Sequence, residues 1–177
     1  MHAVPESNLG EQAPAQSGSG RRIERMLDGL LGEGWRVLNG VRTGLYTIDH
    51  ILVGPPGIFV VQINDKRGVE RACETDRFWL SHTCALSRWV ERAAATPVEP
   101  LLVFNRAVVY PMLSRNWGAY VMSSRGLRKH LRGREDQWSA KQVDETFARL
   151  LEGITFHLDA SSRTSASATS TARAMVA

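Results

Sequence analysis

The chain has 177 residues, 43% of them hydrophobic, and a formal net charge of +4. That is enough for one domain with a core of its own, without disulfide or metal staples. Cys73 and Cys84 are the only cysteines, so no Cys-x-x-Cys pair exists to build a structural zinc site. No run approaches 18 apolar residues, so no membrane span is expected. The opening MHAVPESNLG has neither the basic start nor the apolar stretch of a signal peptide; the expected location is cytoplasmic. Lys66, Lys129 and Lys141 are the only lysines among 22 basic residues. Such an excess of arginine beside abundant alanine fits a coding bias as well as it fits a nucleic-acid partner.

In chain order, residues 1–19 are rich in Gly, Ser, Pro and Gln and read as a disordered arm. A helix is predicted over 21–31, where Ile23, Met26, Leu27, Leu30 and Leu31 form one apolar face and Gly32 and Gly34 end it. Trp35–Leu38 is a short strand. Strands over 45–53 and 58–64 are joined by Gly54-Pro-Pro-Gly57. One or two further strands are expected within 68–80, around Val69 and Phe78-Trp79-Leu80. A helix over 85–95 puts Leu86, Trp89, Val90, Ala93 and Ala94 on one face and stops before Pro97. Leu101–Phe104, Ala107–Tyr110 and Ala119–Met122 read as strands, and 124–131 as a short helix. A last helix starts at Ser139, with Gln142 three residues on as a capping box, and buries Val143, Phe147, Leu150 and Leu151. Residues 159–177 form a Ser/Thr/Ala-rich tail read as disordered, leaving 20–158 as the folded domain. The order of elements predicts an α/β fold with a mixed β-sheet flanked by helices.

The segment Tyr46–Gly68 carries the most information. A four-residue loop Gly54–Gly57 pairs Val53 with Ile58, which sets Asp49 opposite Gln62 and Thr47 opposite Asn64. Directly opposed residues have Cβ atoms about 4.5–5.5 Å apart. An acid and two amides are therefore expected together on one face, with Lys66 continuing the alternation and Asp65 pointing away. By itself this pattern also fits a sheet face that turns polar where it meets solvent.

Three stretches resemble the nuclease-related domain (NERD) family of the PD-(D/E)xK, restriction-endonuclease-like superfamily: Gly34–Leu38, the hairpin Ile48–Val61, and Gly68. The resemblance runs more weakly to Trp79, to Val98–Phe104 and to the helix from Ser139. It implies a restriction-endonuclease-like mixed sheet flanked by helices, with a metal-binding Asp on the first hairpin strand, which Asp49 matches. It also implies Glu-x-Lys or Asp-x-Lys on the second strand, where this chain has Gln62-Ile63-Asn64, and a Gly-Glu pair opening the first helix, where it has Gly20-Arg21.

Metal-assisted phosphodiester cleavage needs carboxylates to hold Mg²⁺ and lower the pKa of an attacking water. Asp49 supplies one, and Gln62 only an amide oxygen. Losing one electrostatic contact such as the lysine replaced by Asn64 typically costs about 10²–10³ in rate. Lys66, two residues further along the strand, and Glu24, one turn after Arg21, are the positions that could restore charge. The degenerate site thus comprises Asp49, Gln62, Asn64 and Lys66, with Asp49 and Gln62 as the candidate Mg²⁺ ligands.

The implied function is a nuclease-related domain that binds DNA, another nucleic acid or a protein partner without efficient cleavage. The alternatives are a divergent Mg²⁺-dependent nuclease and an interaction module with no nucleic-acid role. Arg125, Arg128 and Arg132 share a helix face and form the candidate phosphate-binding strip, or a solvated face. His50, His82 and His130 are scattered, and His50 lies opposite Asp49 as a packing residue. No Gly-x-Ser-x-Gly or Walker-type loop occurs.

Overall fold

A computed structural model of the chain describes residues 20–44 and 46–156; the predicted arm 1–19 and tail 159–177 lie outside the described residues. The elements are α1 (Gly20–Leu31), β1 (Arg36–Arg42), β2 (Thr47–Gly54), β3 (Gly57–Arg71), α2 (Arg77–Ala94), β4 (Val98–Tyr110), β5 (Leu113–Asn116), β6 (Ala119–Ser123) and α3 (Ser124–Arg132), followed by α4 over 140–156. The six strands form one sheet in the order β1-β2-β3-β4-β6-β5. β3, β4 and β6 run parallel, and β1, β2 and β5 pair antiparallel with their neighbours.

The central strands are buried on both faces, which is why they read as continuous apolar runs rather than as an alternation. Phe59 and Val61 of β3, with Leu52, Leu101 and Val103, pack against Ile23, Leu27 and Leu30 of α1 and Leu127 and Leu131 of α3. Ile58 and Val60, with Ile51 and Val53, pack against Leu86 and Val90 of α2 and Val143, Leu150 and Ile154 of α4. The result is a three-layer α/β/α domain. Each fully buried aliphatic side chain contributes about 1.5–3 kcal/mol relative to exposure.

The hairpin register is the one predicted, with Val53 opposite Ile58 and Gly54 opposite Gly57. Gly54 is required by packing: a Cβ there would lie 2.3 Å from the Trp35 ring, whose other neighbour is Phe59, 5.8 Å away between centroids. The turn is clasped from outside, since the backbone N–H groups of Gln137 and Trp138 both donate to the Pro55 carbonyl, each at 2.9 Å. Farther along, α4 meets α2 so closely that a Cβ on Gly153 would lie 2.2 Å from the Ala93 carbonyl oxygen.

The structure departs from the sequence reading in five places, the first being that Val69 lies on β3, which runs from Gly57 to Arg71 rather than ending at 64. Phe78-Trp79-Leu80 is helix, not strand: Asp76 accepts from the Phe78 N–H at 2.8 Å and starts α2 eight residues before the predicted 85. The aromatic run suggested a strand, but the N-cap and the buried series Leu80, Thr83, Leu86, Ser87 and Val90 govern the segment. The separate strands predicted at 101–104 and 107–110 are one, β4. β5 carries no alternation strong enough to be predicted. In α4, Ile154 is buried and Leu151 is exposed; the expected capping box is present, with the Ser139 N–H donating to Gln142 Oε1 at 2.8 Å.

Gly54→Ala is expected to cost about 1–3 kcal/mol, because the Trp35 ring has to leave its seat. Urea denaturation should show this as a lower midpoint at unchanged slope.

Candidate functional site

The ladder between β2 and β3 runs from the turn to His50 and Val61 and stops there. At the next position the two side chains take over the work of the backbone. Gln62 Oε1 accepts the Asp49 N–H at 2.9 Å, and Gln62 Nε2 donates to the Thr47 carbonyl at 3.2 Å. In return Asp49 Oδ2 accepts the Ile63 N–H at 2.8 Å. Asp49 and Gln62 are therefore neighbours, as the register predicts, but both are turned onto the opposing backbone rather than left free above the sheet. A carboxamide suits this position where a carboxylate does not, because the clamp needs one acceptor and one donor.

Asn64 and Lys66 are engaged elsewhere. The β3–β4 register shifts between Asn64 and Arg67, and Asn64 Oδ1 accepts the Lys66 N–H at 2.9 Å within this irregularity. Lys66 Nζ pairs with Glu70 at 2.6 Å. Glu24 lies half-buried on α1, and the Arg21 side chain is outside the described set.

The Asp49 carboxyl is pushed above the ordinary aspartate range, mainly by burial. The Ile63 N–H opposes the shift, the Asp65 charge adds to it, and His82 opposes it. Asp65 and His82 are thus the ionisable neighbours that bear on Asp49. Asp65, expected to point away, stands close enough to repel Asp49 while accepting Asn105 Nδ2 at 3.1 Å. His82 lies on the part of α2 that the sequence reading left out. Its ring stacks on Phe78 at 5.8 Å and meets Tyr46 edge-on at 4.8 Å. The signal that would have found it is the Asp76 cap, which starts the helix early enough to carry His82 to the hairpin.

His50 is buried on the other face, with Nδ1 2.7 Å from Asn39 Oδ1. Bonding to an amide oxygen places the ring proton on Nδ1, and burial lowers the imidazole pKa to about 4. The predicted arginine strip divides. Arg128 and Arg132 both bind Glu33, the first at 3.0 Å, and Arg132 foremost holds the Glu33 carboxyl down at about 2. Arg125 makes no ion pair among the described residues. His130 Nε2 lies 2.9 Å from Glu99, which also binds Arg134.

A mixed six-stranded sheet with helices on both faces, and an acid where the central hairpin parts, defines a restriction-endonuclease-like α/β domain. The sequence model of the nuclease-related domain matches residues 14–105, more than half of the chain. The chain belongs to the nuclease-related domain (NERD) family, in keeping with the PD-(D/E)xK superfamily. Neither a curated protein nor a solved structure matches it.

Two titrations follow. The native state holds the Asp49 proton to higher pH than the unfolded chain does, so this group favours folding below about pH 3.9 and the contribution is lost as pH rises through the native value. Asp49→Asn keeps an acceptor for Ile63 and removes the buried charge. It should raise the melting temperature at pH 7 and leave it unchanged at pH 3. His50 has the opposite sign: its native pKa is depressed, so its contribution is intact above about pH 6.5 and is lost as pH falls toward about 4. Denaturation midpoints should decline across that window, and His50→Gln should flatten the decline.

Proposed function

We propose that this domain is a nuclease scaffold that binds nucleic acid and cleaves it poorly or not at all. The observation that carries this reading is the Gln62 clamp. Mg²⁺ prefers an oxygen shell that includes carboxylates and water. Here the Gln62 amide is committed to two backbone groups and one Asp49 oxygen to a third. Among the described residues no group of three or more His, Cys, Asp and Glu is placed to hold a metal. Asn64 stands where the family has its lysine, and Lys66 is bound to Glu70. The residues present fit Mg²⁺ poorly, and no cleavage step is assigned to them. The basic balance of the chain and its nuclease-related family support nucleic acid as the partner.

One observation favours the alternative of a slow metal-dependent nuclease. Asp65 repels Asp49, and a cation between two such carboxylates would relieve that repulsion.

Calorimetric Mn²⁺ titration and a plasmid-nicking assay separate the two. The wild type should give weak Mn²⁺ heats and no metal-dependent nicking, together with a salt-dependent mobility shift on DNA. Gln62→Glu alone should lose about 1–3 kcal/mol of stability, since a carboxylate cannot donate to Thr47. Gln62→Glu with Asn64→Lys should gain Mn²⁺ affinity. Metal-dependent nicking by the wild type that disappears in Asp49→Ala would overturn the reading.

A further inference from the structure

The β4–β6 ladder ends at Phe104 and Ser123, whereas β3 and β4 stay paired as far as Arg71 and Tyr110. β6 turns directly into α3 at this point, so a cleft opens between the projecting β3–β4 ribbon and the first turn of α3. It encloses about 560 Å³ and is lined by Arg67, Asn105, Arg106, Ser123, Ser124 and Arg125 among others, with no carboxylate among the described residues of its wall. Three guanidinium groups thus reach one cleft from three elements: β3, β4 and α3.

Two features separate this cleft from an ordinary solvated surface. First, none of Arg67, Arg106 and Arg125 makes an ion pair or side-chain hydrogen bond among the described residues. Their neighbours Arg71, Arg128, Arg132 and Arg134 all do. Second, Ser123 is buried, with 7% of its surface exposed, yet it lines the cleft and its hydroxyl has no partner among the described residues. Ser123 is the N-cap of α3, with φ −80° and ψ 156°, and makes no side-chain capping bond. A serine at this position ordinarily turns its Oγ back onto the second or third N–H of the helix. Here the hydroxyl and the first-turn N–H groups are both left for an acceptor from outside, at the positive end of the helix dipole.

We propose that this cleft is a phosphate subsite. Arg67, Arg106 and Arg125 supply the charge, and Ser123 Oγ and the α3 N-terminus supply directed donors. A phosphate has enough acceptor oxygens to use forked guanidinium donors, a hydroxyl and backbone N–H groups together. The subsite adjoins the altered catalytic position through the Asn105–Asp65 hydrogen bond at the C-terminal ends of the parallel strands, where open α/β sheets bind their ligands. Arg106, Ser123, Ser124 and Arg125 fall beyond residue 105, where the family match ends. Its assignment to a nucleic-acid phosphate rests on the proposed function; its assignment to phosphate does not.

The test uses the full chain, with inorganic phosphate in calorimetry and a short labelled single strand in fluorescence anisotropy across a salt series. Arg106→Gln and Arg125→Gln should each abolish measurable phosphate heat and weaken the single strand about tenfold. Each should also lower the salt slope by about 0.7. Ser123→Ala should weaken both ligands without changing the slope, because it removes a donor and no charge. Its melting temperature should hold, since no capping bond is lost. Arg92→Gln, at the far end of α2, serves as the control and should change nothing. If the single strand binds wild type and the cleft variants alike, the subsite is overturned and the nucleic-acid reading stands. Phosphate binding that depends on the cleft without any single-strand binding supports the subsite and sinks the nucleic-acid reading. Binding of neither ligand overturns both.

Discussion

The point where β2 and β3 stop bonding through their backbones governs the middle of this protein. At that end the two strands are only partly buried, and a backbone amide or carbonyl left open there would depend on water for its hydrogen bond. The Gln62 carboxamide and the Asp49 carboxylate close that gap between them, serving three backbone groups. A glutamate at position 62 would repel the Thr47 carbonyl unless a cation or a rearrangement intervened. The amide settles the local electrostatics within the protein itself, with no cation needed.

Much of this was legible from residue order. Gly54-Pro-Pro-Gly57 fixes the turn, the turn fixes the register, and the register brings Asp49 to Gln62. The helices α1, α3 and α4 follow from apolar periodicity and, for α4, from Ser139 and Gln142. Other features were hidden for physical reasons. The direction in which Gln62 and Asp49 turn depends on a break in the ladder, and strand alternation says nothing about where a ladder breaks. The β3 irregularity beyond Asn64 likewise lies outside any period-two reading. Asp65 and His82 reach Asp49 through tertiary placement. His82 was lost because Phe78-Trp79-Leu80 favours a strand locally while Asp76 and the core impose a helix.

The arginines show how little a charge count reveals. Arg125, Arg128 and Arg132 share a helix face by spacing, yet Glu33 takes two of them and leaves the third facing a different set of neighbours. The formal charge is the same before and after such pairing, but the field that a ligand meets is set by the unpaired groups. A helix read as a single basic stripe is divided into an inward-tied half and an outward-facing end.

The contacts made by the C-terminal segment have a consequence for what counts as the unit of folding. The family match draws one boundary, at residue 105. Buried surface draws another one. Val143, Leu150 and Ile154 cover Ile51 and Val53, the Gln137 and Trp138 amides hold the hairpin turn, and Gly153 lets α4 settle against the α2 backbone. Cutting the chain at residue 105 would remove α4 from the central hairpin and expose the apolar residues that it covers. The matched stretch and the stretch that cooperates in folding are different lengths of the same polypeptide.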